Sequence, residues 1–184
     1  MLNKSKIILH CLSLVTLICL LNIQCTTKSQ AKSKLLNFDS IQLQNELYLI
    51  QTDDKFGEWG GDTYLVRIYR GIQSGNLIID YIEYKGKVGP QIPPDSNSKL
   101  IIDWFTGQPI LFEKKGTIAN DEFLNLISNA INELIITKVN NGEFVAMAGV
   151  VNQVMFSDSS LIIRDYPSTN WDKFHILKNK LKMK

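Results

Sequence analysis

The position of the cysteines limits what this chain can fold into more than any other sequence feature. All three, Cys11, Cys19 and Cys25, lie within the first 25 residues. The rest of the chain therefore has no disulfide framework, no thiolate nucleophile and no cysteine ligand for a metal. A body of about 150 residues buries roughly 70% of its unfolded surface, so a hydrophobic core alone has to hold it together. A composition of 45% hydrophobic and 21% charged residues is typical of such a globular core.

Charge is distributed unevenly along the chain. The whole sequence has 20 basic and 18 acidic residues, but residues 35–172 contain 10 basic against 18 acidic side chains, a net charge of −8. Lysines are concentrated on both sides of this acidic body. The small overall excess of positive charge gives no reason to expect a nucleic-acid partner.

The N-terminus has the layout of a secretory signal. Residues 1–25 begin with two lysines, continue with an apolar run over residues 7–23 and end in L-N-I-Q-C. This segment resembles a bacterial lipoprotein signal peptide. The resemblance implies cleavage before Cys25, which would be acylated, with palmitate for example, and become the first residue of the mature chain.

Two other interpretations of this segment remain open. The apolar run is close to the shortest length that spans a bilayer, so it could stay attached as an anchor. Cleavage after S-Q-A would instead give a secreted, soluble protein. All three interpretations place the body outside the cytoplasm. The lipoprotein interpretation divides the chain into a signal peptide, 1–24, a polar tether, 25–34, and one globular domain, 35–184.

Several segments have the alternation, or the β-branched and aromatic enrichment, that is typical of strands. They are 41–50, 63–70, 77–85, 100–105, 109–113, 144–156 and 160–165. We expect 41–50 to be half buried, with Ile41, Leu43, Leu47 and Leu49 on its buried side. The spacing predicts three hairpins. They pair 63–70 with 77–85, 100–105 with 109–113, and 144–156 with 160–165. Glycine and proline predict loops over 52–62 and 86–98, and Pro167 is expected to end the last strand.

Two segments have helical periodicity. A long helix is predicted to begin after an Asn120 cap and to end near Lys138 and Gly142, with an apolar face of Leu124, Ile127, Ile131, Leu134 and Ile135. A short C-terminal helix is predicted from Trp171, Phe174, Leu177 and Leu181. The sequence therefore predicts an α+β fold. It has a mainly antiparallel sheet of about five to seven strands, one long helix packed on it and a short C-terminal helix.

The body has few side chains for catalysis. His175 is its one histidine, it has three arginines, and it contains no phosphate-binding or dinucleotide-binding motif. We therefore expect no catalytic residues, no metal and no cofactor. The acids of the loop could hold calcium or form an acid–base pair, but their spacing does not match the twelve-residue calcium loop. They are Asp53, Asp54, Glu58 and Asp62, of which Asp53, Glu58 and Asp62 are the first candidates for catalysis.

The same loop provides the candidate ligand-binding residues, Phe56, Trp59 and Asp62. A large ring in a glycine-rich surface segment either folds back over the core or is available to a ligand. If exposed, Trp59 could stack on a sugar or anchor a protein partner. Trp171 lies in a periodic element and is expected in the core.

These features favour a lipid-anchored extracytoplasmic domain that binds a protein partner or an envelope polymer without catalysis. Its other expected association is with the membrane, through the N-terminal lipid. Two alternatives remain: a carboxylate-dependent enzyme acting on an envelope carbohydrate, and a purely structural envelope protein.

Cys25→Ala tests the lipid anchor. Removing the acyl acceptor should move the protein from the membrane fraction to the soluble fraction, because the lipid would be its attachment. Fractionation of cells followed by immunoblotting measures this. Retention of the Cys25→Ala chain in the membrane fraction would rule out the lipoprotein interpretation.

Overall fold

The computed structural model describes residues 38–87, 107–141, 148–168 and 171–183, all within one compact unit, Leu35–Lys184. Its strands and helices follow in the order β1 Leu47–Thr52, β2 Thr63–Arg70, β3 Leu77–Tyr84, β4 Ile110–Ile118, α1 Asp121–Asn141, β5 Val150–Phe156, β6 Ile162–Ser168 and α2 Asp172–Met183. Short 3-10 helices occupy Phe38–Ser40 and Gly57–Trp59. The predicted α+β class, with one long and one short helix, is confirmed.

The strands form one six-stranded sheet in the order β4-β3-β2-β1-β5-β6, and each neighbouring pair is antiparallel. The hairpins β2–β3 and β5–β6 agree with the sequence prediction. The strand predicted at 100–105 lies outside the described residues, as do most of the loop predicted at 86–98 and residues 144–147. The hairpin predicted between 100–105 and 109–113 therefore stays a prediction.

The main hydrophobic core lies between one face of the sheet and the two helices. Leu47 and Leu49 of β1 contribute to it from the centre of the sheet. From α1 the buried residues are Phe123, Ile127, Ala130, Ile131 and Leu134. We call this face of the sheet the helix-side face. A second apolar cluster on the opposite face contains Tyr48, Ile50, Leu65, Ile82, Tyr84 and Met155.

The N-cap of α1 and the apolar stripe of α2 follow the sequence prediction. The Asn120 side chain accepts the backbone N–H of Phe123 at 3.0 Å, as an N-cap does. On α2 all four residues of the predicted stripe are buried, namely Trp171, Phe174, Leu177 and Leu181. The Trp171 indole donates to the carbonyl of Ala130 at 2.7 Å and its ring stacks on Phe174 with centroids 4.3 Å apart. These contacts fix the start of α2 against α1.

Four predicted strand boundaries are wrong by more than two residues. Strand β5 begins at Val150 rather than at residue 144, since residues 148 and 149 are not in a strand. The first strand begins at Leu47 rather than at residue 41, because backbone hydrogen bonds from Ile41 to Phe38 and from Asn45 to Gln42 form turns there. Leu43, expected to be buried, is 56% exposed. The strand is also central, with Tyr48 and Ile50 buried on its second face, so it is not half buried.

The other two boundaries are at the sheet edges. Strand β4 continues to Ile118 instead of ending at residue 113, and a register shift near Tyr81 of β3 accommodates its extra length. Strand β6 continues to Ser168 through Pro167. An edge strand tolerates proline because one side of its backbone has no strand to bond.

An ion-pair cluster lies on the sheet face away from the helices. Arg67 donates to both carboxylate oxygens of Glu46, at 2.8 and 2.5 Å, and to Asp80 at 3.4 Å. Asp80 also accepts the backbone N–H of Gly116 at 2.9 Å and is 2% exposed. Burial would raise the pKa of Glu46, but hydrogen bonds from Arg67 and Tyr48 lower it below its usual value. The single positive charge of the guanidinium is thus shared between two carboxylates, one of which, Asp80, is almost fully buried.

Arg67→Gln should destabilise the fold by about 3 kcal/mol, because it leaves the carboxylates of Glu46 and Asp80 without a cation. Lys115→Gln is the control. It removes the Lys115–Glu113 ion pair, whose lysine side chain is 55% exposed, and should change the stability by less than about 0.5 kcal/mol. Urea unfolding followed by tryptophan fluorescence measures both. Equal losses in the two variants would contradict the importance of the Arg67 cluster.

Candidate functional site

A row of polar side chains crosses the helix-side face of the sheet. The strand register places five residues side by side on neighbouring strands: Asp165, Asn152, Gln51, Tyr64 and Glu83. Asp165 and Asn152 are 2% and 1% exposed. Buried polar groups require hydrogen-bond partners, so this row needs polar neighbours where the rest of the face needs apolar ones.

Four hydrogen bonds join part of this row into a continuous chain. The Lys178 ammonium on α2 donates to Gln51 Oε1 at 2.9 Å, and Gln51 Nε2 donates to Asn152 Oδ1 at 2.9 Å. Asn152 Nδ2 then donates to the Ser168 hydroxyl at 2.8 Å, which donates to Asp165 Oδ2 at 2.5 Å. We call this the Lys178–Asp165 chain. Because lysine can only donate and a carboxylate only accept, its two ends fix the orientation of both amides.

Lys178 is an unusual lysine because it is 5% exposed. Its Nζ lies 3.7 Å from the centroid of the Tyr64 ring and 5.3 Å from that of Phe174, which places the ammonium over two aromatic faces. Burial lowers the pKa of Lys178 to about 8, with Glu83 opposing this shift and Lys182 adding to it. Part of the Lys178 population is therefore a neutral amine near physiological pH.

A cleft opens beside Lys178, where the first turns of α2 pass the ends of β1, β2 and β5. Its volume is about 350 Å³, at the lower end of the range of pockets that bind small molecules. It is lined by residues from three strands, one loop and α2: Gln51, Asp53, Tyr64, Val150, Trp171, Asp172, His175 and Lys178. The cleft combines aromatic walls with acidic and basic groups, as ligand-binding sites do.

The acidic side of the cleft is held by the loop after β1. Asp53 Oδ1 accepts the backbone N–H groups of Asp62 at 2.8 Å and of Lys55 at 3.2 Å. Burial raises the pKa of Tyr64, and the carboxylates of Asp53 and Asp62 raise it further. The Tyr64 hydroxyl therefore stays protonated in the cleft, and its hydrogen bond to Asp53 contributes to this.

The predicted ligand-binding residues lie beside the cleft rather than in its lining. Trp59 is 38% exposed at the end of a 3-10 helix, and Phe56 is partly buried. Asp62 pairs with Lys55 at 3.1 Å and accepts the backbone N–H of Gly86 at 2.9 Å. Burial alone would raise the pKa of Asp62, but these two partners lower it below its usual value. Asp62 thus holds the loop closed, while Trp59 is available at the surface.

The carboxylates considered for catalysis or calcium binding are not gathered in one place. Of Asp53, Glu58 and Asp62, only Asp53 lines the cleft, and its Oδ1 is engaged by the loop backbone. Within residues 38–87, 107–141, 148–168 and 171–183, no group of three histidine, cysteine, aspartate or glutamate residues is arranged to hold a metal ion.

The N-terminal predictions concern residues that the structure does not describe. Cys25, the predicted lipid attachment site, precedes the first described residue. Among the helices that are described, none is long and apolar enough to cross a membrane.

The sequence analysis missed the residue that dominates the site. Lys178 lies four residues after Phe174 and seven after Trp171, so helical periodicity places it on the apolar stripe of α2. A lysine at a stripe position was the signal that could have indicated a buried ammonium. Gln51 and Asn152 gave no comparable signal, because their proximity depends on the pairing of β1 with β5.

Comparisons of this chain with protein-family models, with curated proteins and with solved structures found no match.

The depressed pKa of Lys178 predicts a pH dependence of stability. The folded-state pKa is about 8, below the ordinary lysine value of 10.5, so the unfolded chain binds more protons between these pH values. The free energy of unfolding should therefore rise with pH across this window. Relative to Lys178→Met, which has no amine, the rise should be about 1–2 kcal/mol between pH 8 and pH 10 after allowing for solvent in the cleft.

Chemical unfolding of both chains at several pH values measures this difference. The comparison with Lys178→Met cancels the contributions of tyrosines and other groups that titrate in the same range. Parallel stability profiles for the two chains would show that Lys178 has an ordinary pKa.

Proposed function

We propose that this protein is a lipid-anchored extracytoplasmic domain that binds a protein partner or an envelope polymer through the Lys178 cleft, without catalysis. The observation that carries the binding role is the cleft itself. It is a concave site of about 350 Å³ in which a buried ammonium, two aromatic rings and a histidine converge.

The surroundings of the cleft support binding to a larger molecule. Trp59 lies at the surface of the loop that supplies Asp53, so one partner could contact both the loop and the cleft. An exposed tryptophan next to a polar pocket is a frequent anchor in protein interfaces and on sugar surfaces.

A fixed hydrogen-bond arrangement favours binding over catalysis. Gln51 is oriented by the Lys178–Asp165 chain, and Asp53 is oriented by the loop backbone. Because these donors and acceptors are already ordered, less side-chain entropy is lost when a ligand binds. The carboxylate pair considered for catalysis is also not assembled, because only Asp53 of Asp53, Glu58 and Asp62 lines the cleft and its Oδ1 accepts backbone N–H groups of the loop.

The proposed location is based on the N-terminal sequence. The signal-like run that ends at Cys25, followed by a lysine-bearing polar tether, supports export and lipid attachment. The net charge of −8 over residues 35–172 would favour a partner with a basic surface.

His175→Trp tests the binding role of the cleft. His175 is exposed on α2 and lines the cleft, so a larger side chain should block the entrance while leaving the core intact. Ile176→Trp is the matched control, because Ile176 is the next residue of the same helix, is 49% exposed and does not line the cleft. The full chain would be cross-linked in its own membrane, solubilised in detergent and captured together with bound proteins and polymers.

We expect His175→Trp to reduce the amount of captured partner by about ten-fold, the effect of losing one well-placed contact, and Ile176→Trp to leave it unchanged. Equal capture by all three chains would contradict binding at the cleft. Recovery of neither protein nor glycan by the native chain would favour a purely structural role.

A further inference from the structure

The Lys178 ammonium has more donors than described partners. It carries three N–H groups, of which one is directed at Gln51 Oε1 and another faces the Tyr64 ring. In the part of the chain that the structure describes, no carboxylate lies within ion-pair distance of Nζ. Glu83 and Asp53 act on the ammonium only through longer-range attraction, and neither forms an ion pair with it.

A buried cation without an adjacent anion is costly, because it loses hydration without gaining an ion pair. The other lysines that fasten α2 do not share this situation. Lys182 pairs with Glu83 at 2.6 Å, and Lys180 pairs with Glu122 at 2.6 Å. Lys178 differs because it lines a cleft that an external anion can enter.

We infer that Lys178 is an anion-binding residue and that the ligand of the cleft presents a single carboxylate group to its ammonium. This inference rests on the proposed function, since it names the ligand chemistry of the same cleft. The carboxylate would occupy the third donor position of Nζ and form the ion pair that the fold omits.

The charges around the cleft select a monocarboxylate over a phosphate dianion. Asp53 and Asp172 line the same space, so a second negative charge on the ligand would meet like-charge repulsion. His175, three residues before Lys178 on α2, lines the cleft as well and offers a ring nitrogen to the second carboxylate oxygen. A carboxylate with its two oxygens matches these two donors.

The test is a titration of the full chain, in detergent micelles at constant ionic strength and pH 7, with sodium acetate, acetamide or sodium phosphate. The reporter is the indole N–H resonance of Trp171, which lines the cleft, and that of Trp59 is the internal control. Acetate should shift the Trp171 resonance saturably. Acetamide has nearly the same shape without the charge and should bind about ten-fold more weakly or worse, because a hydrogen bond to a charged group is the stronger one.

Three variants make the test specific to Lys178. Lys178→Met should weaken acetate binding by about ten-fold or more, and Lys173→Met, the same substitution at an exposed position of the same helix, should leave it unchanged. His175→Gln should weaken acetate binding by a smaller factor. It provides a second variant for the test if Lys178→Met does not fold. Equal binding of acetate and acetamide, unchanged binding in Lys178→Met and His175→Gln, or tighter binding of phosphate than of acetate would overturn the inference.

The two proposals fail in different ways. If partner capture depends on an open cleft but acetate does not bind, the carboxylate inference is wrong and the binding role stands. If acetate binds through Lys178 but His175→Trp captures the same partners as the native chain, the carboxylate site stands and the proposed function is wrong.

Discussion

The Lys178–Asp165 chain is the interaction on which the site depends. It begins on the terminal helix, passes through Gln51 of β1 and Asn152 of β5, and ends on a carboxylate of β6. A half-satisfied buried network would cost more than an apolar core, whereas a fully connected one specifies a single arrangement. Within the described residues, no buried side-chain nitrogen or oxygen lacks a hydrogen-bond partner. The chain thereby fixes α2 over three strands and holds the ammonium at the cleft.

Local periodicity was enough to predict the helices and most of the sheet, but not the long-range contacts. The stripe of α2 and the β2–β3 hairpin follow from the spacing of apolar residues over a few turns of chain. The predicted start of β1 was wrong because polar and apolar residues also alternate over 41–46, where the backbone forms turns. The alternation of side chains does not show which backbone groups are hydrogen-bonded. The cleft was missed because Gln51 and Asn152 are about a hundred positions apart in the chain and meet only through strand pairing.

The structure also changes the importance of the glycine-rich loop. Its acids were candidate ligands in the sequence, yet Asp53 accepts backbone N–H groups within the loop and Asp62 accepts that of Gly86, which follows β3. Their ordering positions the loop against the start of β2 and supplies one wall of the cleft. Trp59 remains at the surface of the same loop, and in the proposed function one partner would contact both this ring and the Lys178 cleft.

The central claim is that Lys178 is a desolvated ammonium facing an accessible cleft, and its pKa is the most direct test. Lysine-specific ¹³C labelling, with Lys178→Met to assign the resonance, would give this pKa by NMR titration of the native chain. We expect a value of about 8, well below the ordinary pKa of lysine. A value at or above about 10.4, the ordinary pKa of lysine, would show that Lys178 is hydrated and would contradict the account.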